Sequence, residues 1–174
     1  MSLKIIPVKK SERALHYLVN LSCEAFEATF SPYYDKGEID AYLDLAYNPA
    51  ILRDELSSDS SRFYFIEVDG EKAGYFKVNW DESVTNKNYI GDFELQRLYL
   101  LPKYQKQGLG QKAMDVVLNL AQELKKQKVW LEVWEENKVA LKFFEENGFE
   151  AVGDNAFPLG QYAAQTVKVL KKDL

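Results

Sequence analysis

The segment Leu98-Tyr99-Leu100-Leu101-Pro102-Lys103-Tyr104-Gln105-Lys106-Gln107-Gly108-Leu109-Gly110 constrains this chain more than any other. An apolar strand ends at a proline, a short polar loop follows, and two glycines open a long amphipathic helix. Such a turn aims successive backbone N–H groups into one concavity at a helix N-terminus, where the helix dipole adds to their field. Glycine at 108 and 110 leaves room for a ligand to approach where a Cβ would stand. The expected occupant is a phosphate or pyrophosphate. Gly108-x-Gly110-x-x-Ala113 also fits the dinucleotide fingerprint. However, six residues separate Leu101 from Gly108, whereas a dinucleotide turn follows its strand directly. No Gly-Lys-Ser/Thr occurs, which excludes a Walker A loop.

Gln105-x-x-Gly108-x-Gly110 resembles the first signature of the GCN5-related N-acetyltransferase (GNAT) superfamily, Gln/Arg-x-x-Gly-x-Gly/Ala. Asn137-x-x-Ala140-x-x-Phe143-Phe144-x-x-x-Gly148-Phe149 resembles the second, N-x-x-A-x-x-F-Y-x-x-x-G-F. The order and separation are those of the superfamily, with a strand between them. The likeness extends to its polyamine-acetylating PaiA-like branch through Glu24-Ala-Phe-Glu-Ala-Thr-Phe30, Ala73-Gly-Tyr-Phe-Lys-Val-Asn79, Glu94-Leu-Gln-Arg-Leu-Tyr99 and Trp130-Leu-Glu-Val-Trp-Glu135. It covers nearly the whole chain. The resemblance implies an α/β (α+β) GNAT fold: a mixed, twisted sheet of about seven strands with helices on both faces, in the order βααβββαβαββ.

Length and composition agree with one folded domain spanning residues 1–174. At this length about two-thirds of the unfolded surface can be buried, and 47% hydrophobic with 28% charged residues is ordinary for a soluble globule. The net charge of −5 argues against a nucleic-acid partner. No apolar stretch suggests a signal peptide or membrane span. The lone Cys23 forms no intrachain disulfide and fits a reducing cytoplasm. With His16 as the only histidine, Ser-His-Asp, Cys-His and multi-histidine zinc chemistry are all excluded, and no metal is expected.

Along the chain, Leu3–Pro7 reads as a strand. Ser11 is an N-cap for a helix reaching Phe30, with Ala14, Leu18, Leu21 and Ala25 at helical spacing. Ser31-Pro32 breaks it. Further helical pieces lie near Glu38–Tyr47 and Ala50–Leu56. Arg62–Val68 and Ala73–Trp80, joined across Asp69-Gly70, form a hairpin. Phe93–Leu101 leads into the glycine turn, and the next helix buries Leu109, Ala113, Val117, Leu120 and Leu124. Lys128–Trp134 is a strand parallel to its predecessor. Asn137 caps a short helix ending at Asn147-Gly148. Phe149–Gly153 and Gln161–Leu170 supply the last hairpin.

Carried over by the resemblance, the donor is acetyl-CoA. Its pyrophosphate would rest on the amides of Gln105, Lys106, Gln107, Gly108, Leu109, Gly110 and Gln111. Its pantetheine arm would pair with the backbone of Leu98 and Leu100, with Asn137, Phe143 and Phe144 alongside. Two departures stand out: Gln105 replaces the commoner Arg, and Phe144 replaces a Tyr that can protonate the leaving thiolate. Tyr99, Tyr33 and Tyr34 are the tyrosines considered in its place, with Tyr99 paired with Glu94 in the catalytic assignment. Glu94 is the candidate base, on one face with Gln96, Leu98 and Leu100 if alternation is unbroken; an amine with a pKa of about 10 must lose a proton to attack. Glu24, Glu27, Asp35, Glu38 and Asp40, with Tyr33 and Tyr34, would wall the acceptor site.

The expected acceptor is a small amine, spermidine or spermine first, acetylated by direct attack in a ternary complex. Acetylation of a peptide N-terminus or lysine is the alternative. A coenzyme A-binding regulator without turnover is a third reading, prompted by Phe144. A homodimer is compatible with each.

Overall fold

The computed structural model describes residues 1–158 and 164–174. Strand β1 (Leu3–Pro7) precedes three helices, α1 (Glu12–Phe30), α2 (Lys36–Ala46) and α3 (Pro49–Ser57). Strands β2 (Ser61–Val68), β3 (Glu71–Asn79) and β4 (Phe93–Leu100) follow. Next come α4 (Leu109–Glu123), β5 (Lys128–Trp134), α5 (Lys138–Glu146), β6 (Glu150–Pro158) and β7 (Ala164–Asp173). The order is βαααβββαβαββ, one helix more than the expected string. Pro49 at the first turn and the Asn48 side chain, accepting from the Ile51 amide at 3.0 Å, make α3 a helix of its own. Residues 161–163 of the expected last strand lie outside the described residues.

Local chemistry accounts for most boundaries. Ser11 caps α1 through the Ala14 amide. Asp35 and Glu38 form a reciprocal capping box on α2. Asp69 and Gly70 take φ of 50° and 85°, the left-handed pair a tight hairpin needs. In α4 the buried stripe is Leu109, Ala113, Met114, Val117 and Ala121; Leu120 is only half-buried and Leu124 is exposed, contrary to the expected face. The stripe drifts because a 3.6-residue period carries Ala121, not Leu124, back over the sheet.

The sheet runs β1-β2-β3-β4-β5-β7-β6, antiparallel except where β4 meets β5. That parallel contact is short: only Phe93 with Val129 and Glu94 with Trp130 are in register. Beyond Glu94 the two strands diverge, and β5 continues paired with β7 alone. A wedge opens in the sheet at that point.

Two irregularities shape its β4 side. Lys77 pairs with Arg97 but Val78 pairs with Leu95, so Gln96 is an extra residue bulged out of β4. Further along, β3 and β4 approach closely at Gly74, where a Cβ would stand 2.1 Å from the Tyr99 carbonyl oxygen and 3.0 Å from Leu100 Cα. Neither backbone atom can yield locally. Gly74→Ala is therefore expected to cost about 3 kcal/mol, read as a fall in Tm of roughly 6–12 °C. An unchanged melt would mean the strands can separate freely there.

Candidate active site

The glycine turn forms as its residue types dictate. Lys106 and Gly108 adopt φ of 60° and 80°, so the chain reverses twice before α4 begins. Gly108 occupies the N-cap position without a side chain to cap the helix. Among the described residues, nothing accepts a hydrogen bond from the amides of Lys106, Gln107, Gly108, Leu109, Gly110 or Gln111; the first helical bond runs from the Lys112 amide to the Gly108 carbonyl. Orphan amides at a helix start are an anion site. A Cβ on Gly108 would meet nothing within 4 Å, so the space beside it is open.

The side chains around this cradle brace it. Gln105 Nε2 donates to the Leu100 carbonyl at 3.0 Å, tying the loop to the end of β4. Gln107 Nε2 donates to the Lys103 carbonyl. Gln111 and Asn147 exchange amide hydrogen bonds at 2.8 and 3.1 Å, joining α4 to the end of α5. Leu109 is buried beneath the turn.

Asn137 caps α5 by accepting from the Ala140 amide at 3.1 Å through Oδ1, and its Nδ2 has no partner among the described residues. The Phe143 ring packs beside Gly110, 3.6 Å from where its Cβ would be. Phe144 lies deeper, edge-on to Phe143 and Phe149, within the core.

The bulge at Gln96 overturns the unbroken alternation expected for β4. Asn79 and Lys77, two apart on β3, pair with Glu94 and Arg97 respectively. Glu94 therefore shares its face with Arg97 and Tyr99, while Leu98 and Leu100 face the other way; Leu100 lies towards Gly110 of α4. One strand thus offers a polar edge to α1 and α2 and an apolar edge to α4.

On the polar face lies a cavity of about 500 Å³, lined by Glu94, Gln96, Arg97 and Tyr99 of β4, by Glu132 and Trp134 of β5, and by residues of α1, α2, β6 and β7. Glu94 is 3% exposed. Its Oε1 accepts from Asn79 Nδ2 at 2.8 Å and from the Thr85 amide at 2.9 Å, and its Oε2 accepts from the Thr85 hydroxyl at 2.5 Å. Thr85 comes from the β3–β4 loop, which thereby folds over the carboxylate. Behind it, the Gln96 amide oxygen accepts from both Lys77 Nζ and Asn79 Nδ2.

Lys77 and Arg97 both reach Glu55 Oε1, at 2.6 and 3.0 Å. Burial pulls the Lys77 ammonium below its ordinary value, reinforced by Arg97 and opposed by Glu55. Burial alone would raise the Glu55 carboxyl, but Arg97 and Lys77 together hold it below the usual range. Tyr99 stacks on Tyr75, their ring centroids 5.8 Å apart, and burial pushes its hydroxyl well above the ordinary tyrosine value, so that it keeps its proton.

The other residues expected at the acceptor site lie elsewhere. Glu24 and Glu27 are exposed on α1 and do not line the cavity. Asp35 and Glu38 are engaged in the α2 capping box, and Asp40 pairs with Lys36. Tyr33, 61% exposed, packs edge-on against Trp134, and Tyr34 rests on Phe30. They brace the cavity wall without lining it. The physical reason lies in α1, whose inward stripe is apolar and ends in Phe26 and Phe30, so its carboxylates are turned to solvent.

Residues that the expected site omitted, among them Thr85, Lys87, Gln96, Arg97, Glu132 and Gln165, supply most of the cavity's polar lining, and Asn79 holds Glu94 from β3. Among the described residues no cluster could hold a metal ion, and no helix is long and apolar enough to cross a membrane.

Comparison with known proteins is consistent with this architecture. Over 167 residues, 96% of its own length and 96% of the relative's, the chain is 33% identical to an uncharacterized N-acetyltransferase in the pepI 3′ region of Lactobacillus delbrueckii subsp. lactis. Its structure matches PaiA N-acetyltransferase from Thermoplasma acidophilum in complex with coenzyme A, with a TM-score of 0.79 and 19% identity over 100% of both chains. It also matches a spermidine N-acetyltransferase SpeG chimera from Vibrio cholerae and hSSAT, with a TM-score of 0.66 and 19% identity over 99% and 96% of the two chains. At such identities the likeness is one of fold. Residues 15–149, most of the chain, match the acetyltransferase (GNAT) family; this protein belongs to that family and is an N-acetyltransferase.

Proposed function

We propose that the protein transfers the acetyl group of acetyl-CoA to a primary amine of a small molecule, by direct attack in a ternary complex. The observation that carries this reading is the wedge between β4 and β5. It has a cradle of unpartnered amides at one end and a polar cavity on the adjoining face. The pyrophosphate would rest on residues 105–111, and the pantetheine arm along the edge of β4 that β5 leaves open at Leu98 and Leu100, beside Asn137 and Phe143. Phe144 would support that arm from the core.

An amine entering the cavity attacks the thioester carbonyl carbon, the C–S bond breaks, and coenzyme A leaves as thiolate. The proton lost by the amine passes to Glu94, directly or through a water. Tyr99, whose hydroxyl keeps its proton, would donate a hydrogen bond to the departing sulfur, and the thiolate would take its proton from water. Because a thiolate is a good leaving group, Phe144→Tyr is expected to change kcat by less than about tenfold. A hundredfold gain would make thiolate protonation limiting.

Spermidine and spermine remain within this reading through the sequence resemblance, with two carboxylates, Glu94 and Glu132, among the residues that line the cavity. A coenzyme A release assay across polyamines, amino acids, aminoglycosides and short peptides tests the proposal. Release with small amines supports it, a large preference for peptides replaces the acceptor, and tight acetyl-CoA binding without release to any amine leaves only a regulator. A single domain over residues 1–174 and a reducing, cytoplasmic setting complete the reading.

A further inference from the structure

The acceptor cavity carries a cationic feature that a simple amine does not explain. Lys77 and Arg97 share one oxygen of one carboxylate, Glu55 Oε1, so this corner holds two positive charges against one negative. Glu94 balances the count, but its oxygens are occupied by Asn79 and Thr85, and neither reaches Arg97. The Arg97 side chain is only 12% exposed, lies over the Tyr47 ring at 4.9 Å, and leaves Nη1 buried without a partner among the described residues. Across the wedge on β7, Gln165 is 5% exposed and its Nε2 is likewise unpartnered among the described residues. Both side chains line the cavity.

Unsatisfied buried donors are costly, and a guanidinium fork matches a carboxylate in shape and charge. An ammonium group has no acceptor to offer these two donors, so a second polyamine nitrogen would leave them unsatisfied. We propose, resting on the acetyltransferase reading, that the acceptor is an amino-carboxylate: a primary amine whose own carboxylate pairs with Arg97 and Gln165. Its amine is directed towards Glu94 and the open wedge. The aromatic rings of Tyr42, Trp134 and Phe157 cover the remaining carbon chain.

Matched acceptors that differ only by the carboxylate test this. Coenzyme A release would be measured for L-lysine against cadaverine and for L-phenylalanine against phenethylamine, with spermidine alongside. The expected result is a kcat/KM at least tenfold higher for the acid of each pair, expressed mainly in KM. In Arg97→Gln that ratio should fall to near one. Arg97→Lys, which keeps a cation beside Glu55 if the glutamine variant melts early, should lose most of it through the missing fork. Equal rates within the pairs, a preference for cadaverine or spermidine, or a preference that survives both Arg97 variants would overturn the carboxylate site while leaving the acetyltransferase standing. Release with none of these amines would overturn the carboxylate site, and release with none of the wider panel of amines either would remove the acceptor reading on which it rests.

Discussion

Gly110→Glu is expected to weaken acetyl-CoA binding by at least 100-fold, about 2.7 kcal/mol, while leaving the melting temperature unchanged or slightly raised. The two effects separate because they arise from different parts of the side chain. Built on Gly110, a Cβ would meet Phe143 at 3.6 Å and Leu100 Cδ1 at 4.0 Å, which is ordinary contact, and the residue is not in the left-handed region. The fold therefore does not require glycine at 110. A carboxylate in the first turn of a helix is favourable to that helix by roughly 0.3–1 kcal/mol. The same carboxylate competes for the free amides of residues 106–111 and repels a pyrophosphate placed there. Gly110→Ala, lacking the charge, should retain most of the affinity. Gly108→Asp should also abolish binding, but with a stability loss of about 1–2 kcal/mol from its φ of 80°. Calorimetry showing unchanged affinity in Gly110→Glu would remove this turn from donor binding.

The cradle was legible because it is local. Gly108 and Gly110 before an amphipathic run specify free amides at a helix start whatever the rest of the chain does. The same holds for Asp69-Gly70, whose backbone angles follow from residue type, and for the caps at Ser11 and Asn137. The polar half of the site was not legible, because it depends on pairing between distant residues. A bulge at Gln96 exists only in relation to β3, and that one extra residue moves Arg97 and Tyr99 onto the face of Glu94 and takes Leu98 and Leu100 off it. Thr85 sits in a loop with no motif, yet it supplies two of the three hydrogen bonds to Glu94. The acidic residues of α1 read as a substrate wall from sequence, but the helix spends its inward face on Leu18, Leu21, Ala25 and Phe26.

Glu94→Gln is expected to lower kcat/KM for the amine by about 10²–10⁴-fold at neutral pH, with little change in acetyl-CoA affinity or melting temperature. The geometry makes this substitution a test of charge alone. A glutamine amide oxygen in place of Oε1 can still accept from Asn79 Nδ2 and the Thr85 amide. Its NH₂, in place of Oε2, can donate to the Thr85 hydroxyl, which rotates to accept. The loop over the site is then held as before, and what is lost is the ability to take a proton. The loss should shrink as pH rises towards the amine's own pKa of about 10, where free amine no longer depends on a base. Thr85→Val gives the complementary result. It keeps the carboxylate but removes one of its hydrogen-bond donors, so it should lower kcat only modestly. A residue that merely orders the β3–β4 loop would behave differently: Glu94→Gln would then leave kcat/KM nearly intact, and any deficit would be equal at every pH. Parallel profiles of variant and wild type, offset by a constant factor, would reduce Glu94 to a positioning residue.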